Sequence, residues 1–170
     1  MVVNGVTCPV TAIADNAFNG DTNLTEIVIP PSVKIIGTNA FEGCTKLKSI
    51  RFSGSGLETV GTNAFRGSKI TGITFPSSVK ELKTGCLSKC DKLKTVVLGA
   101  KTVKIAKNAF KGSGVKILKI KAKKVPSPKD IKGVKSLKAN ATVEVPKAKF
   151  KQYKKALAKA GFKGKVKKKG

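Results

Sequence analysis

Four cysteines and the complete absence of histidine limit the chemistry that this chain can support. Cys86 and Cys90 are four residues apart, which is not the CxxC spacing of a zinc site, and no histidine can complete a ligand set. A Ser-His-Asp or Cys-His arrangement is excluded for the same reason. A cysteine or lysine nucleophile stays open, and it would need a lowered pKa. We expect a chain that is not an enzyme, with no catalytic residue, no metal site and no cofactor.

One segment resembles a phosphate-binding loop only superficially. Residues 61–69 read GTNAFRGSK, but the two glycines are one residue too far apart, and serine follows the second glycine where that loop has lysine. We interpret the segment as a corner of a repeat.

Positive charge is the strongest compositional signal. The formal net charge is +26, and residues 86–170 hold 27 of the lysines against three acids. This imbalance raises the question of an anionic partner. However, 33 of the 35 cations are lysine, whereas specific recognition of nucleic acid favours arginine and stacking aromatics. We expect no specific nucleic-acid partner, which leaves a loosely bound polyanion or a solvated lysine surface.

The phrase Asn-Ala-Phe occurs at residues 16–18, 39–41, 63–65 and 108–110. Counted from phenylalanine to phenylalanine, with Leu87 in the fourth place, the repeats are 23, 24, 22 and 23 residues long. A repeat of this length is typical of a solenoid, in which each coil buries its apolar face against its neighbours.

Three apolar residues follow each of these positions, and the last two are two residues apart, as on one face of a strand. The sets are Leu24, Ile27 and Ile29; Leu47, Ile50 and Phe52; Ile70, Ile73 and Phe75; Leu93, Val96 and Leu98; Val115, Leu118 and Ile120. A second apolar pair precedes each position, and proline and glycine turns separate the two stations. We predict a mainly β, right-handed solenoid with short parallel strands in register and a corner at each Asn-Ala-Phe.

These units resemble the BspA-type leucine-rich repeat family, whose unit reads roughly IxxxAFxGCxxLxxIxIPxSVxxIG. Residues 24–44 and 36–52 match that unit almost letter for letter, and the resemblance covers about residues 8–120. The fourth unit departs from it, with Cys86 in the alanine place and Lys89 in the glycine place. The resemblance implies a leucine-rich-repeat-like fold and a secreted or surface-attached protein, typically bacterial, implicated in adhesion and protein binding.

The repeat also places the cysteines. Cys44 and Cys90 occupy the same position, just past the corner, where a small residue packs inward, and Cys86 stands in the alanine place. We expect core positions and free thiols, although an oxidising compartment would leave a Cys86–Cys90 or adjacent-coil disulfide open.

The domain boundaries follow from the same pattern. We expect a solenoid at residues 1–144 with about five clear units and a degenerate last coil, a capping helix at 145–162 and a basic, disordered tail at 163–170. No run of eighteen apolar residues exists, so we expect no transmembrane segment. Because the chain opens at half a unit, we expect a fragment of a longer protein with a signal peptide upstream.

Outward side chains of stacked strands form straight columns, and we predict that they form the interaction face. One column is Thr25, Lys48, Thr71, Lys94 and Lys116, and another is Val28, Arg51, Thr74, Val97 and Lys119. Both become basic toward the C-terminus. The candidate residues are Lys48, Arg51, Thr71, Thr74, Lys94, Lys116, Lys119, Lys121, Lys123 and Lys124. The alternative interpretation is that exposed strand positions simply tolerate threonine and lysine.

Together these observations predict a monomeric, non-enzymatic protein-binding or adhesion module of a secreted or cell-surface protein, whose partner is a protein on a cell surface or in a host matrix. The alternative function is attachment to an anionic polymer, such as teichoic acid, a sulfated glycan or an anionic envelope, through the basic C-terminal half.

Overall fold

The computed structural model describes residues 9–102 and 104–169. It also describes the backbone of two short strands, Val2–Val3 (β1) and Val6–Thr7 (β2), which pair antiparallel. Cys8 lies outside the described residues.

From residue 9 onward the chain winds in coils that contribute strands to two parallel ladders. The first ladder comprises Ala12–Ile13 (β3), Ile35–Ile36 (β5), Thr59–Val60 (β7), Glu81–Leu82 (β9) and Lys104–Ile105 (β11). The second ladder begins with Glu26–Ile29 (β4) and Ser49–Phe52 (β6). It continues with Gly72–Thr74 (β8), Thr95–Leu98 (β10), Ile117–Ile120 (β12), Thr142–Pro146 (β13) and Lys165–Lys169 (β14).

The register of the second ladder stacks the inward apolar residues directly on one another. Ile73 pairs with Val96, Val96 with Leu118, and Leu118 with Val143, and all four side chains are buried. Burying an aliphatic side chain of this size stabilises a fold by about 1.5–3 kcal/mol, and here the apolar cover comes from the neighbouring coils. The predicted repeat solenoid of short parallel strands is confirmed.

The second ladder is not unbroken as predicted, since strand pairing is interrupted between β6 and β8. The coil that joins them belongs to the 24-residue repeat, and its strand begins at Gly72. The two coils still stack, since Phe52 and Phe75 have ring centroids 5.8 Å apart and the Thr71 amide donates to the Lys48 carbonyl at 3.4 Å.

The Asn-Ala-Phe phrase forms the corner of four coils. Its asparagine lies in the left-handed region, with φ values of 60°, 55°, 53° and 59° for Asn16, Asn39, Asn63 and Asn108. Asparagine tolerates this conformation better than other side chains with a Cβ, which explains its recurrence. The Asn39 side-chain amide also donates to Asn16 Oδ1 at 3.1 Å, so that neighbouring corners are linked.

The C-terminal coil is closed by a short helix, Phe150–Lys159 (α1), shorter than the predicted 145–162 because strand β13 runs to Pro146 and a 3₁₀ turn, Lys147–Lys149, follows it. Tyr153 and Leu157 of α1 are fully buried. The Tyr153 hydroxyl donates to the Ala122 carbonyl at 2.8 Å, which ties the helix to the coil before it.

The prediction of a disordered tail is wrong for residues 165–169. These residues form β14, which pairs in parallel with β13 over five positions, from Thr142–Lys165 to Pro146–Lys169. Backbone groups make this pairing, so it does not require apolar side chains on the outer side. Gly164 permits the approach, because a Cβ there would lie 2.2 Å from the Ala141 carbonyl oxygen. Residues 165–169 therefore add one further strand to the solenoid, which their lysine-rich sequence did not indicate.

Candidate interaction surfaces

The three described cysteines are structural. Cys44, Cys86 and Cys90 are free thiols and fully buried, as predicted. The Cys44 and Cys90 thiols lie 3.0 Å from the carbonyl oxygens of Phe18 and Phe65, to which they donate. Burial raises the pKa of both thiols to about 11 and raises that of Cys86 as well. A protonated, buried thiol is neither a nucleophile nor a metal ligand at neutral pH.

The described residues contain no cluster of three or more metal-ligating side chains.

The predicted interaction residues lie in three places. Four of them come directly before strands β6, β8, β10 and β12, namely Lys48, Thr71, Lys94 and Lys116. Backbone hydrogen bonds link their coils, for example from the Lys94 amide to the Thr71 carbonyl at 2.8 Å. Arg51, Thr74 and Lys119 lie within strands β6, β8 and β12. Lys121, Lys123 and Lys124 follow β12 and lie in the segment held by the capping helix. Nine of the ten are exposed, and Lys119 is half-buried.

The structure adds residues that the sequence pattern missed. Strand β13 continues the second column, because Glu144 pairs in register with Lys119, and their side chains form an ion pair at 3.5 Å. The column therefore does not become uniformly basic. The regular spacing of the Phe positions could not place Glu144, since the coil that contains it has no Asn-Ala-Phe corner.

We define the strand face as the exposed or half-buried outward positions of β4, β6, β8, β10, β12 and β13. Its two columns are Val28, Arg51, Thr74, Val97, Lys119 and Glu144, and Glu26, Ser49, Gly72, Thr95, Ile117 and Thr142. The column from Glu26 to Thr142 was not predicted, although the sequence indicates it, because each of its members stands two residues before a member of the Val28 column.

A shallow depression of about 520 Å³ lies on the strand face where the ladder is interrupted. Its lining includes Arg51, Gly72, Thr74 and Thr95 together with the edges of neighbouring core residues. Gly72 creates the floor of the depression, because it is the one position of its column without a side chain. The arrangement offers a guanidinium and two hydroxyls around an apolar floor, which suits recognition of a protein segment and contains no catalytic group.

The repeat pattern, the two parallel ladders and the corners agree with one protein family. The model of the BspA-type leucine-rich repeat region matches residues 11–128 in six copies. The chain belongs to this family. BspA-type leucine-rich repeats are typically non-catalytic protein-interaction modules.

Two solved structures share the fold of this BspA-type repeat chain. The T. pallidum leucine-rich repeat protein is 25% identical, with a TM-score of 0.66, over 96% of this chain and 81% of that one. A leucine-rich cell-surface protein from Faecalibacterium prausnitzii A2-165 is 21% identical, with a TM-score of 0.52, over 99% of this chain and 45% of that one. No match was found among curated protein sequences.

In the part of the chain that the structure describes, no helix is long and apolar enough to cross a membrane.

Proposed function

We propose that this chain is a non-enzymatic protein-binding module of a secreted or cell-surface protein, and that it binds its partner through the strand face. The observation that carries the proposal is the depression around Gly72, because it lies on the strand face at the point where strand pairing is interrupted. Membership of the BspA-type family supports both the type of function and the location outside the cell.

The strand face has the physical properties of a binding surface. Strands β10, β12 and β13 are paired on both sides, which fixes the backbone of their outward columns, so little backbone entropy is lost when a partner binds. The exposed Val28 and the half-buried Val97 and Ile117 supply apolar area, while Arg51 supplies a charged anchor of the kind that is enriched at protein interfaces. We propose an adhesive role, with a protein of a cell surface or host matrix as the partner.

The proposal is tested by capture from cell-envelope and host-matrix extracts, with washes at about 50 and then about 500 mM salt. Screening at the higher concentration reduces the Debye length to a few ångströms and removes partners held by exposed charges alone. We expect a protein partner that survives the high-salt wash.

The alternative, attachment to an anionic polymer through the basic C-terminal half, makes the opposite prediction. If every bound component is released at high salt, and the released material is polyanion without protein, the strand-face proposal is wrong.

A further inference from the structure

Lysine side chains surround an open cleft of about 710 Å³ at the C-terminal end of the solenoid. It lies where the corner of the fifth unit, the following coil and the end of α1 meet. We call it the lysine cleft, and its charged lining residues are Lys107, Lys111, Lys129, Lys132, Lys135 and Lys159. The remaining lining is small or polar and consists of Asn108, Pro128, Ser136, Ala160 and Gly161.

No carboxylate neutralises this cluster. The cleft has no acidic lining residue, and none of its six lysines belongs to the five ion pairs found among the described residues. The acid nearest in sequence, Asp130, lies outside the lining; it accepts a hydrogen bond from the Ser127 hydroxyl at 2.5 Å and keeps its negative charge, which offsets at most one of the six lysines. Six ammonium groups around one cleft repel one another, so an anion that binds among them relieves unfavourable energy as well as adding attraction.

The backbone that carries these lysines is fixed. Lys132 and Lys135 lie three residues apart in the 3₁₀ helix Lys132–Ser136, where side chains at that spacing eclipse each other and project on the same side. Ser136 Oγ accepts a hydrogen bond from the Phe110 amide at 3.1 Å and donates to the Gly133 carbonyl at 2.6 Å. These bonds tie the helix to the corner that carries Lys107 and Lys111, so the charged groups come from elements held at set separations.

The chemistry of the lining indicates the kind of anion. Lysine acts as a point charge and binds phosphate without the planar geometry that arginine imposes. The lining contains no aromatic side chain on which a nucleobase or a sugar ring could stack. The cleft is open to solvent, so a ligand longer than the cleft can extend beyond it. These properties favour a flexible polymer whose recognised groups are the phosphates themselves.

From this arrangement we infer that the lysine cleft is a binding site for a linear phosphate-bearing polymer. The site is on the C-terminal coils and not on the strand face, so it goes beyond the proposed protein-binding function and does not depend on it. A chain could hold a protein partner on the strand face and a polyphosphate-type polymer at this end at the same time.

The test uses long-chain inorganic polyphosphate as the probe and compares two triple variants by calorimetric titration. The cleft variant is Lys107→Gln, Lys111→Gln and Lys132→Gln. The control variant is Lys46→Gln, Lys92→Gln and Lys101→Gln, at exposed positions that neither line the cleft nor form ion pairs. Both lower the formal net charge of +26 by three. Lys159 is left intact because a lysine in the last turn of α1 also stabilises the helix end.

We expect the cleft variant to bind polyphosphate at least about tenfold more weakly than the wild type, and the control variant to change by no more than about threefold. The slope of log affinity against log salt should fall by about two to three units in the cleft variant only. Thermal melts of all three proteins verify that the variants fold.

Two results would overturn the inference. Equal losses in the two variants would mean that the whole basic surface attracts polyanions and that the cleft has no special role. Tighter binding of dextran sulfate of matched charge, lost in the cleft variant, would assign the cleft to a sulfated glycan instead of a phosphate polymer.

Discussion

At the scale of single residues, the fourth corner differs from the other corners at two positions. Gly85 stands where the other corners have asparagine, and Lys89 stands where they have glycine. The backbone has not changed to suit the lysine, because Lys89 keeps a φ of 56°, comparable to the 72–76° of the glycines Gly20, Gly43, Gly67 and Gly112. A side chain in this region costs about 1–2 kcal/mol relative to glycine.

The first prediction therefore concerns Lys89. Replacing Lys89 by glycine should raise the free energy of unfolding by about 0.5–1 kcal/mol, which is the relieved strain minus the greater entropy of the unfolded chain. Urea denaturation measures the change. Lys92→Gly, at an ordinary backbone position nearby, should lower stability by a similar amount. A loss of stability in Lys89→Gly as well would contradict this account of the corner.

The second prediction uses a position that the chain itself fills with two residue types. Cys44, Ser68, Cys90 and Ser113 are equivalent and buried. Burial raises the pKa of the Cys90 thiol from 9.0 to about 11, so the folded chain holds that proton more tightly than the unfolded chain does. The contribution of this thiol to the free energy of unfolding is fully present below pH 9 and is lost as the pH rises through 11.

Cys90→Ser should remove this dependence, because serine fits the position and does not titrate. We expect the stability of the wild type relative to Cys90→Ser to fall by about 2 kcal/mol between pH 8 and pH 11. Chemical denaturation of both proteins across that range measures the difference, and the rest of the chain is the same in both. A difference that stays constant with pH would show that the thiol titrates normally in the folded chain.

At the scale of elements, the corners and strands are stabilised by stacking between coils. The Phe41 ring lies between those of Phe18 and Phe65, with centroids 5.1 and 5.3 Å away and interplanar angles of 3° and 8°. Phe41 is fully buried, whereas Phe18 is half-buried at the N-terminal end of the stack.

Position in the stack should determine the cost of truncation. Phe41→Ala should lower the free energy of unfolding by about 3–5 kcal/mol, and Phe18→Ala by clearly less, because its ring has one neighbour in the stack and is partly solvated already. Urea unfolding of the two variants gives both values. Equal costs would mean that the rings contribute through burial within their own coil and not through stacking.

The order of the C-terminal strand is a further prediction at this scale. Amides of β14 that face β13 should exchange slowly with solvent deuterium, as those of β12 do. Gly164→Val should abolish the protection in β14 and leave β10 and β12 unchanged, since a Cβ would collide with the Ala141 carbonyl. Immediate exchange throughout residues 165–169 of the wild type would restore the interpretation of a disordered tail.

The lysines of β14 have a structural explanation at the level of the element. The strand is the edge of its sheet, with one side of its backbone unpaired. Edge strands rich in lysine resist pairing with other chains, because like charges would be brought together. Part of the positive charge at the C-terminus thus protects the open end of the solenoid against pairing with other chains. The six lysines of the lysine cleft lie elsewhere, so this explanation does not apply to them.

At the scale of the whole molecule, the repeat made most of the fold predictable. Inward positions such as Ile73 and Val96 follow from spacing alone, because every coil must bury the same face. Strand β14 could not be found this way, since its residues carry no apolar pattern and their order comes from backbone pairing with β13. The interruption beside Gly72 was also hidden, because Ile50 and Ile73 keep the 23-residue spacing seen from Ile27 to Ile50 and from Ile73 to Val96.

The outward columns were predicted less completely for the same reason. The members of an outward column can be predicted only if the register of each strand is known. The sequence indicates that register only in coils that have an Asn-Ala-Phe corner. Glu144 was therefore missed, although it neutralises Lys119. The lysine cleft was not visible at all, because its members come from three elements that the fold alone brings together, whereas sequence shows only a general excess of lysine.

The measurement that tests the central claim most directly is the affinity of the captured protein partner for Gly72→Arg, determined by titration. A Cβ at Gly72 meets only the Thr95 carbonyl oxygen, at an ordinary 3.7 Å, so the fold should tolerate arginine while its side chain fills the depression. Thr59→Arg, on β7 of the opposite ladder, is the matched control. We expect binding to weaken at least about tenfold in Gly72→Arg and to remain unchanged in Thr59→Arg, as for substitutions at the centre of an interface. Full affinity in a correctly folded Gly72→Arg would show that the partner does not bind at the strand face.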